Sequence, residues 1–228
     1  MSTTTITPAE SQTPLASAAH GERHRIAAQK GIPSQTRVWV AVSAIAMSFA
    51  ALTSALIVRE GSGNDWQRFF LPRILYLNTI IILASSYTLE LSRKSFAVAF
   101  ALPHGFSNLA SSDPEHAVII TARSNGLHWL RVTRALGLLF LAGQILAWRS
   151  LAAHGMLLAT NPSSSFFYLL TAMHGLHLLG GILGLFYVGY RLRRNARNSQ
   201  TSLGTAAVYW HFVDLLWVYL LLVITIRM

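Results

Sequence analysis

The chain has 228 residues, of which 53% are hydrophobic and only 11% are charged, whereas an average soluble domain carries about 25% charged residues. This composition excludes an ordinary water-soluble domain, because a single core cannot bury so much apolar surface. The formal net charge is +10, but the Lys and Arg residues lie at the ends of apolar blocks, as topology signals do, and therefore predict no nucleic-acid partner.

Residues 1–36 form the first segment, which is rich in Ser, Thr, Ala and Pro and carries Arg23, Arg25 and Lys30. A segment with so few large apolar side chains has little to bury. We therefore predict a disordered basic tail, followed by one membrane domain over residues 37–228.

Five apolar blocks follow the tail, and a transmembrane helix needs about 20 such residues. The blocks cover residues 38–58, 74–91, 135–153, 166–190 and 206–226. Backbone groups inside a bilayer must satisfy one another, so each block is predicted to be a helix. The predicted fold class is all-α, a polytopic membrane bundle of five transmembrane helices.

The segment between the second and third blocks contains the apolar run 96–102, which is too short to span a bilayer. This run either lies at the membrane interface or extends the second helix. Residues 115–134 can carry the third helix well out of the membrane.

Counts of Lys and Arg predict the orientation. Twelve lie in the tail through Arg37, in the segment 93–131 and after the fourth block, five lie on the opposite side, and Arg134 at a helix mouth is assigned to neither. The positive-inside rule then predicts a cytoplasmic N-terminus and an external C-terminus, and the membrane in which we expect the chain is the inner (plasma) membrane.

Ionisable residues at membrane depth are costly and usually face a protein interior. The fourth block carries His174 and His177, and the fifth carries His211 and Asp214, three residues apart on one helical face. The simplest interpretation is structural, with hydrogen bonds that fix the helix packing. The spacing Gly180-x-x-x-Gly184 in the fourth block predicts a close approach of another helix.

Two functional interpretations compete with the structural one. In the first, His174 or His177 pairs with His211 as axial ligands of a b-type heme. These histidines lie towards the starts of antiparallel blocks, which would place them on opposite sides of the membrane. In the second, Asp214 and a histidine form a proton relay, although one carboxylate and three histidines are few for a path across a bilayer.

No catalytic, cofactor-binding or metal-binding residue is predicted. The chain has no cysteine, which excludes iron–sulfur clusters, Cys-ligated zinc and covalently attached heme c. It also lacks a Gly-rich phosphate loop, a His-Glu-x-x-His motif and a nucleophile elbow.

Three stretches resemble the subunit III family of heme-copper terminal oxidases. The fifth block reads YWHFVDLLW at residues 209–217, similar to the closing YWHFVDxxW signature of that family. The other matches are LP at 71–72, LNT at 77–79, SSYT at 85–88, FFY at 166–168, HGLH at 174–177 and GG at 180–181. Their shared order makes the resemblance specific, and it covers roughly residues 66–92 and 137–226.

The resemblance implies the five-helix form of a subunit that holds no heme or metal itself. Such a subunit packs beside the catalytic subunit I and the other oxidase subunits, and the heme and copper are expected in that catalytic partner. It is also expected to bind phospholipids, to support proton uptake and to stabilise the complex. A basic residue at the end of the matching fourth helix contacts lipid in the family, which makes Arg191 the candidate lipid-binding residue.

Two carboxylates of the family pattern are missing. The family usually places a Glu in the first of these helices, but residues 38–58 contain no ionisable group. The third helix usually reads Q-x-x-E-aromatic, and here Ala147 stands in the place of the acid, between Gln144 and Trp148. These losses leave open an accessory subunit of a nitric oxide reductase system. An independent transporter or heme-binding membrane protein is the alternative from another class.

Overall fold

The computed structural model describes residues 34–62, 66, 71–101, 114–156, 161–194 and 199–227. These residues form five helices and no strand: α1 Ser34–Ser62, α2 Ile74–Ala101, α3 Pro114–Ala153, α4 Pro162–Arg193 and α5 Ser199–Arg227. Each helix is long and apolar enough to cross a membrane. The predicted all-α fold with five membrane-spanning helices is confirmed, and the chain is a multi-pass membrane protein.

The helices extend beyond the apolar blocks that predicted them. Helix α1 begins at Ser34, so residues 34–36 belong to the helix, while residues 1–33 of the predicted tail lie outside the described residues. Helix α2 continues to Ala101, so the apolar run after residue 96 extends this helix. Helix α3 has 40 residues and a length of about 60 Å, about twice the thickness of a hydrocarbon core.

The helices are arranged in a ring in the order α1, α5, α2, α3, α4, and α4 also packs against α5 across the ring. Helices α2 and α3 form the most extensive contact. Helix α5 therefore touches α1, α2 and α4, which places its middle in the interior of the bundle.

The buried face of α2 carries small polar side chains at intervals of seven residues, namely Asn78, Ser85 and Ser92. Ser92 donates to the carbonyl oxygen of Gly126 at 2.8 Å, and Asn78 Nδ2 lies 3.5 Å from the carbonyl oxygen of Phe140. Both acceptors belong to α3. In lipid, such small side chains and interhelical hydrogen bonds drive association that the hydrophobic effect cannot provide.

Glycines mark where the helices approach closely. A Cβ atom built on Gly143 would overlap Oδ1 of Asn78. The predicted approach at the Gly180 and Gly184 pair was wrong in detail, because a Cβ on Gly184 would meet no atom within 4 Å. The close contact lies at Gly181, where a Cβ would stand 3.1 Å from Cε1 of Tyr209 on α5.

We expect Gly143→Ala to lower the free energy of unfolding by about 1–3 kcal/mol, because the new methyl group must displace Asn78 from the α2–α3 contact. Gly184→Ala is the matched control, since it adds the same methyl group to a helix interior where there is space. This control should be neutral or stabilising by up to about 1 kcal/mol, because Ala favours helix more than Gly does. Thermal unfolding in detergent measures both, and equal shifts for the two variants would contradict the close contact.

Candidate functional site

One face of α5 is buried and carries two indoles that bond to helix α2. Trp210 Nε1 donates to Ser85 Oγ at 3.1 Å, and Trp217 Nε1 donates to Thr79 Oγ1 at 3.0 Å. Both tryptophans are fully buried. Because these bonds lie two helical turns apart on the same pair of helices, they fix the register of α5 against α2.

Asp214 lies between these two tryptophans and is only 3% exposed. Ser86 of α2 donates its hydroxyl proton to Asp214 Oδ2, and the same hydroxyl oxygen lies 2.8 Å from His211 Nδ1. A hydroxyl has a single proton, so Ser86 must accept the proton of His211 Nδ1 while it donates to the carboxylate. The hydrogen bonds therefore run from His211 to Ser86 and from Ser86 to Asp214, with the proton of a neutral His211 on Nδ1.

The other end of this arrangement reaches the surface of the chain. Nε2 of His211 lies 4.0 Å from Oε2 of Glu90, and Glu90 forms an ion pair with Arg93 at 2.8 Å. The side chains of Glu90 and Arg93 are 38% and 41% exposed. Together with Lys94 they line a cavity of about 170 Å³ between α2 and α5. A row of polar groups, which we call the Glu90–Asp214 chain, thus connects this cavity with the middle of α5.

A second group of buried polar side chains lies beyond Trp217. His174 is fully buried, with its ring centroid 5.1 Å from that of Trp217 and 5.8 Å from that of Phe140. Neither nitrogen of His174, nor either polar atom of the buried Gln144 amide, has a hydrogen-bond partner among the described residues. An imidazole and an amide both carry N–H donors, so α3 and α4 present unused donors to the interior at these two residues.

His177 lies close to α5. Its Nδ1 donates to the carbonyl oxygen of Met173 at 2.6 Å, and its own carbonyl oxygen accepts from the hydroxyl of Tyr209 at 3.0 Å. The expectation that the histidines of α4 lie across the membrane from His211 was wrong. The helices begin before the apolar blocks do, so His174, His177 and His211 all lie near the middle of their helices.

The imidazole rings nevertheless face different helices. His211 faces Ser86 of α2, whereas His174 packs between α3 and α5. The structure thus does not bring these two rings together as a pair of axial ligands. Within the described ranges, no three His, Asp or Glu side chains are grouped as a metal site requires.

The positions that lack the family carboxylates are packed with apolar side chains. Ala147 is fully buried on α3, and α1 contributes Phe49 and Leu56 to the core. Asp214 is the single buried carboxylate among the described residues. Any negative charge in the core of the described bundle therefore depends on this one acidic group.

Arginines gather at the basic end of the bundle, which we define as the end where α2 and α4 finish and α5 begins. Arg191 Nη1 donates to Ser202 Oγ of α5 at 3.4 Å, and its guanidinium carbon lies 5.8 Å from the ring centroid of Tyr187. The guanidinium of Arg134 lies 4.7 Å from the ring centroid of Phe186. Other basic residues of this end include Arg93, Lys94, Arg123, Arg193 and Arg194, and Arg197 lies outside the described residues.

Sequence reasoning identified the polar side chains of α5 without their partners on α2. The usable signal was the pair Thr79 and Ser86, which stand seven residues apart and therefore share one face of α2. Ser86 donates to Asp214, and Thr79 accepts from Trp217. A repeat of small hydroxyl side chains in a transmembrane helix predicts a helix contact, but it does not say which helix supplies the partners.

We expect Ser86→Ala to destabilise the protein by about 1–3 kcal/mol, because it leaves the buried Asp214 carboxylate without a donor. The matched control is Ser95→Ala on the same helix, since among the described residues Ser95 bonds only to the carbonyl oxygen of Leu91 one turn earlier. The control should change stability by less than about 0.5 kcal/mol. The measurement is the thermal midpoint in detergent. Similar shifts for the two variants would show that Ser86 does not hold Asp214.

Comparison with known proteins identifies the family of this chain. Residues 107–227 match the family described as cytochrome c oxidase subunit III. Cytochrome c oxidase subunit 3 of Thermostichus vulcanus is 30% identical over 184 residues, which is 76% of this chain and 77% of that protein. The probable cytochrome c oxidase subunit 3 of Mycobacterium tuberculosis strain H37Rv is 29% identical over 199 residues, or 83% of this chain and 84% of the relative. The chain therefore belongs to the cytochrome c oxidase subunit III family.

Proposed function

We propose that this chain, as the non-catalytic subunit III of a respiratory oxidase complex, packs against the catalytic subunit I and leaves the oxygen chemistry to it. The observation that carries the proposal is the use of the interior polar groups. Asp214 and His211 bond to Ser86 of α2, and the indoles of Trp210 and Trp217 bond to the same helix. Polar groups that hold helices together support a structural role, with heme and copper in the partner.

The names of the relatives favour an oxidase over a nitric oxide reductase system, since they are cytochrome c oxidase subunits. We further propose that the complex lies in the inner (plasma) membrane with the basic end on the cytoplasmic side. The charge distribution supports this orientation, because twelve Lys and Arg residues fall on that side and five on the other. Support of proton uptake and of complex stability belongs to the same proposal.

A further part of the proposed function is that Arg191 holds an anionic phospholipid. Arg191 lies in the last turn of α4 at the basic end, where a long side chain can run along the helix and reach the headgroup layer. Its guanidinium is positioned by Ser202 and Tyr187. A guanidinium has five N–H donors in a planar fork, which suits a phosphate as well as the Ser202 hydroxyl. Arg134 supplies a second positive charge near the same end of α4.

The partner proposal predicts the spectrum of the chain with and without its complex. A tagged chain isolated from its native membrane in mild detergent should bring with it a multi-span subunit that contains heme and copper. After the partners are removed, the chain should show no Soret band and no stoichiometric metal. A Soret band at one heme per isolated chain would overturn the non-catalytic assignment, and an unrelated tagged membrane protein controls for chance copurification.

The lipid proposal predicts a change in bound phospholipid. In native mass spectrometry of the complex, Arg191→Ala should lower the retention of cardiolipin or phosphatidylglycerol about fivefold, because one basic group near an anionic headgroup contributes about 1 kcal/mol. Arg194→Ala is the matched control. It removes an equal charge from the same basic end, but its guanidinium lies over Tyr190, 4.8 Å from the ring centroid.

The control should retain as much lipid as the wild type. Unchanged retention in Arg191→Ala would leave this residue with a role in membrane topology alone. An equal loss in both variants would show that the net charge of this end, and not a site at Arg191, holds the lipid.

A further inference from the structure

We infer that Asp214 exchanges its proton with the aqueous phase at the basic end of the bundle only, through the Glu90–Asp214 chain. The inference deepens the proposed support of proton uptake, and it rests on that proposed function only in naming the phase as cytoplasmic. The geometry itself consists of a surface cavity, two relay side chains and one buried carboxylate. Each step is carried by a distance between described residues.

The entrance is the cavity of about 170 Å³ that Glu90, Arg93 and Lys94 line with residues of α2 and α5. Its charged side chains keep more than a third of their surface exposed at Glu90 and Arg93, so water and protons can reach Glu90. The step from Glu90 to His211 is 4.0 Å, which is longer than a hydrogen bond. One bridging water molecule closes such a gap.

The inner steps are direct hydrogen bonds whose donors all point towards Asp214. A proton arriving from Glu90 or its water forms an N–H bond at His211 Nε2, and the Nδ1–H bond of the same ring breaks. That proton passes over 2.8 Å to Ser86 Oγ, which releases its own proton to Asp214 Oδ2. The result is a neutral Asp214 carboxyl and a His211 with its proton on Nε2. The same steps in reverse deprotonate the Asp214 carboxyl. The Glu90–Asp214 chain therefore supports proton exchange and no net proton transport.

The Glu90–Asp214 chain has no continuation beyond Asp214 among the described side chains. Its second oxygen, Oδ1, is buried and has no hydrogen-bond partner among the described residues. One turn further from the cavity, the N–H of Trp217 already bonds to Thr79, whose hydroxyl donates to the carbonyl oxygen of Leu75. An indole has no acceptor with which to pass a proton on. The described side chains thus offer Asp214 a route towards the basic end and none towards the end at Arg227.

Other ionisable groups that face this region are few. Helix α1 contributes none from residues 38–58. Helix α3 meets α5 through residues that are not ionisable, namely Gly137 against Trp210 and Phe140 against Trp217. His177 of α4 has its ring against Phe49 and its Nδ1 bonded to Met173. Besides Glu90 itself, the ionisable groups that lie around the Glu90–Asp214 chain are Arg93 and Lys94 of α2 and His174 and His177 of α4.

Infrared spectroscopy of the assembled oxidase, oriented in phospholipid vesicles, tests this inference. The carbonyl band of the protonated Asp214 carboxyl is identified as the band that Asp214→Asn removes. The pH is then changed on one face of the vesicle at a time. We expect the band to follow the pH at the basic end and to ignore the pH at the Arg227 end. A band that follows the Arg227 end, or neither end, would overturn the inference.

Three variants distinguish an interruption of the Glu90–Asp214 chain from a general loosening of the structure. Ser86→Ala and His211→Phe should slow the response of the Asp214 band about a hundredfold or more, as expected when a positioned proton-transfer group is lost. Ser86→Thr retains the hydroxyl and should respond nearly as fast as the wild type, which keeps the test valid where Ser86→Ala fails to assemble.

The control is Thr88→Val, which removes another buried hydroxyl of α2 that bonds to Thr133 of α3 and lies outside the chain. Its response should match that of the wild type. Unchanged rates in Ser86→Ala and His211→Phe, or equal slowing in Thr88→Val, would refute the path. Copurification of the catalytic subunit with the wild-type chain is scored separately. Its absence refutes the proposed function, whereas a wild-type complex that is intact but whose Asp214 band ignores the pH at the basic end refutes the proton path.

Discussion

Inside a membrane, apolar side chains gain little by leaving lipid for protein, so helices need other interactions to choose their neighbours. In this chain the choice rests on hydrogen bonds between the side chains of α5 and the small hydroxyl groups of α2. Each such bond contributes only about 0.6–2 kcal/mol, but bonds along one seam fix the depth and rotation of both helices. The pairs are Trp210 with Ser85, Asp214 with Ser86, and Trp217 with Thr79.

The same seam explains why a carboxylate is tolerated at the centre of α5. An unpaired carboxylate at that depth would cost much free energy. Asp214 instead accepts a hydrogen bond from Ser86, and the Ser86 hydroxyl in turn accepts one from His211. Where the family pattern has further acids, this bundle has the buried Ala147 and the apolar core residues of α1. The acidic chemistry of the described core is thus concentrated at one contact between two helices, and this is why one serine has so much influence on it.

The number and type of helices were predictable from the sequence because a bilayer leaves the backbone almost no alternative to the helix. The ends of the helices were less predictable, since hydropathy detects only the part that lies in hydrocarbon. The 40-residue α3 and the early start of α5 at Ser199 lie beyond that signal. The misplaced depth of His211 followed from the same limit, because its block begins seven residues after the helix does.

The partners of the polar residues could not be predicted for a different reason. Periodicity tells which side chains share a face, and it grouped His211 with Asp214 correctly. It does not tell which neighbouring helix that face meets, because this depends on the order of helices around the ring. The ring order places α2, and not the preceding helix in the chain, α4, opposite Asp214. A contact between residues 128 positions apart in sequence therefore becomes visible only in the fold.

The two ends of the bundle differ in a way that follows from these contacts. At the Arg227 end, the last residues of α5 are tied to the preceding segments, because Arg227 pairs with Glu60 at 3.2 Å and Trp66 Nε1 donates to the carbonyl oxygen of Arg227 at 2.9 Å. At the basic end, α2 and α5 enclose the cavity beside Glu90. Since the hydrogen-bonded seam keeps the helices together at mid-depth, this cavity can remain open without loosening the bundle. The asymmetry gives Asp214 its closer connection to the basic end.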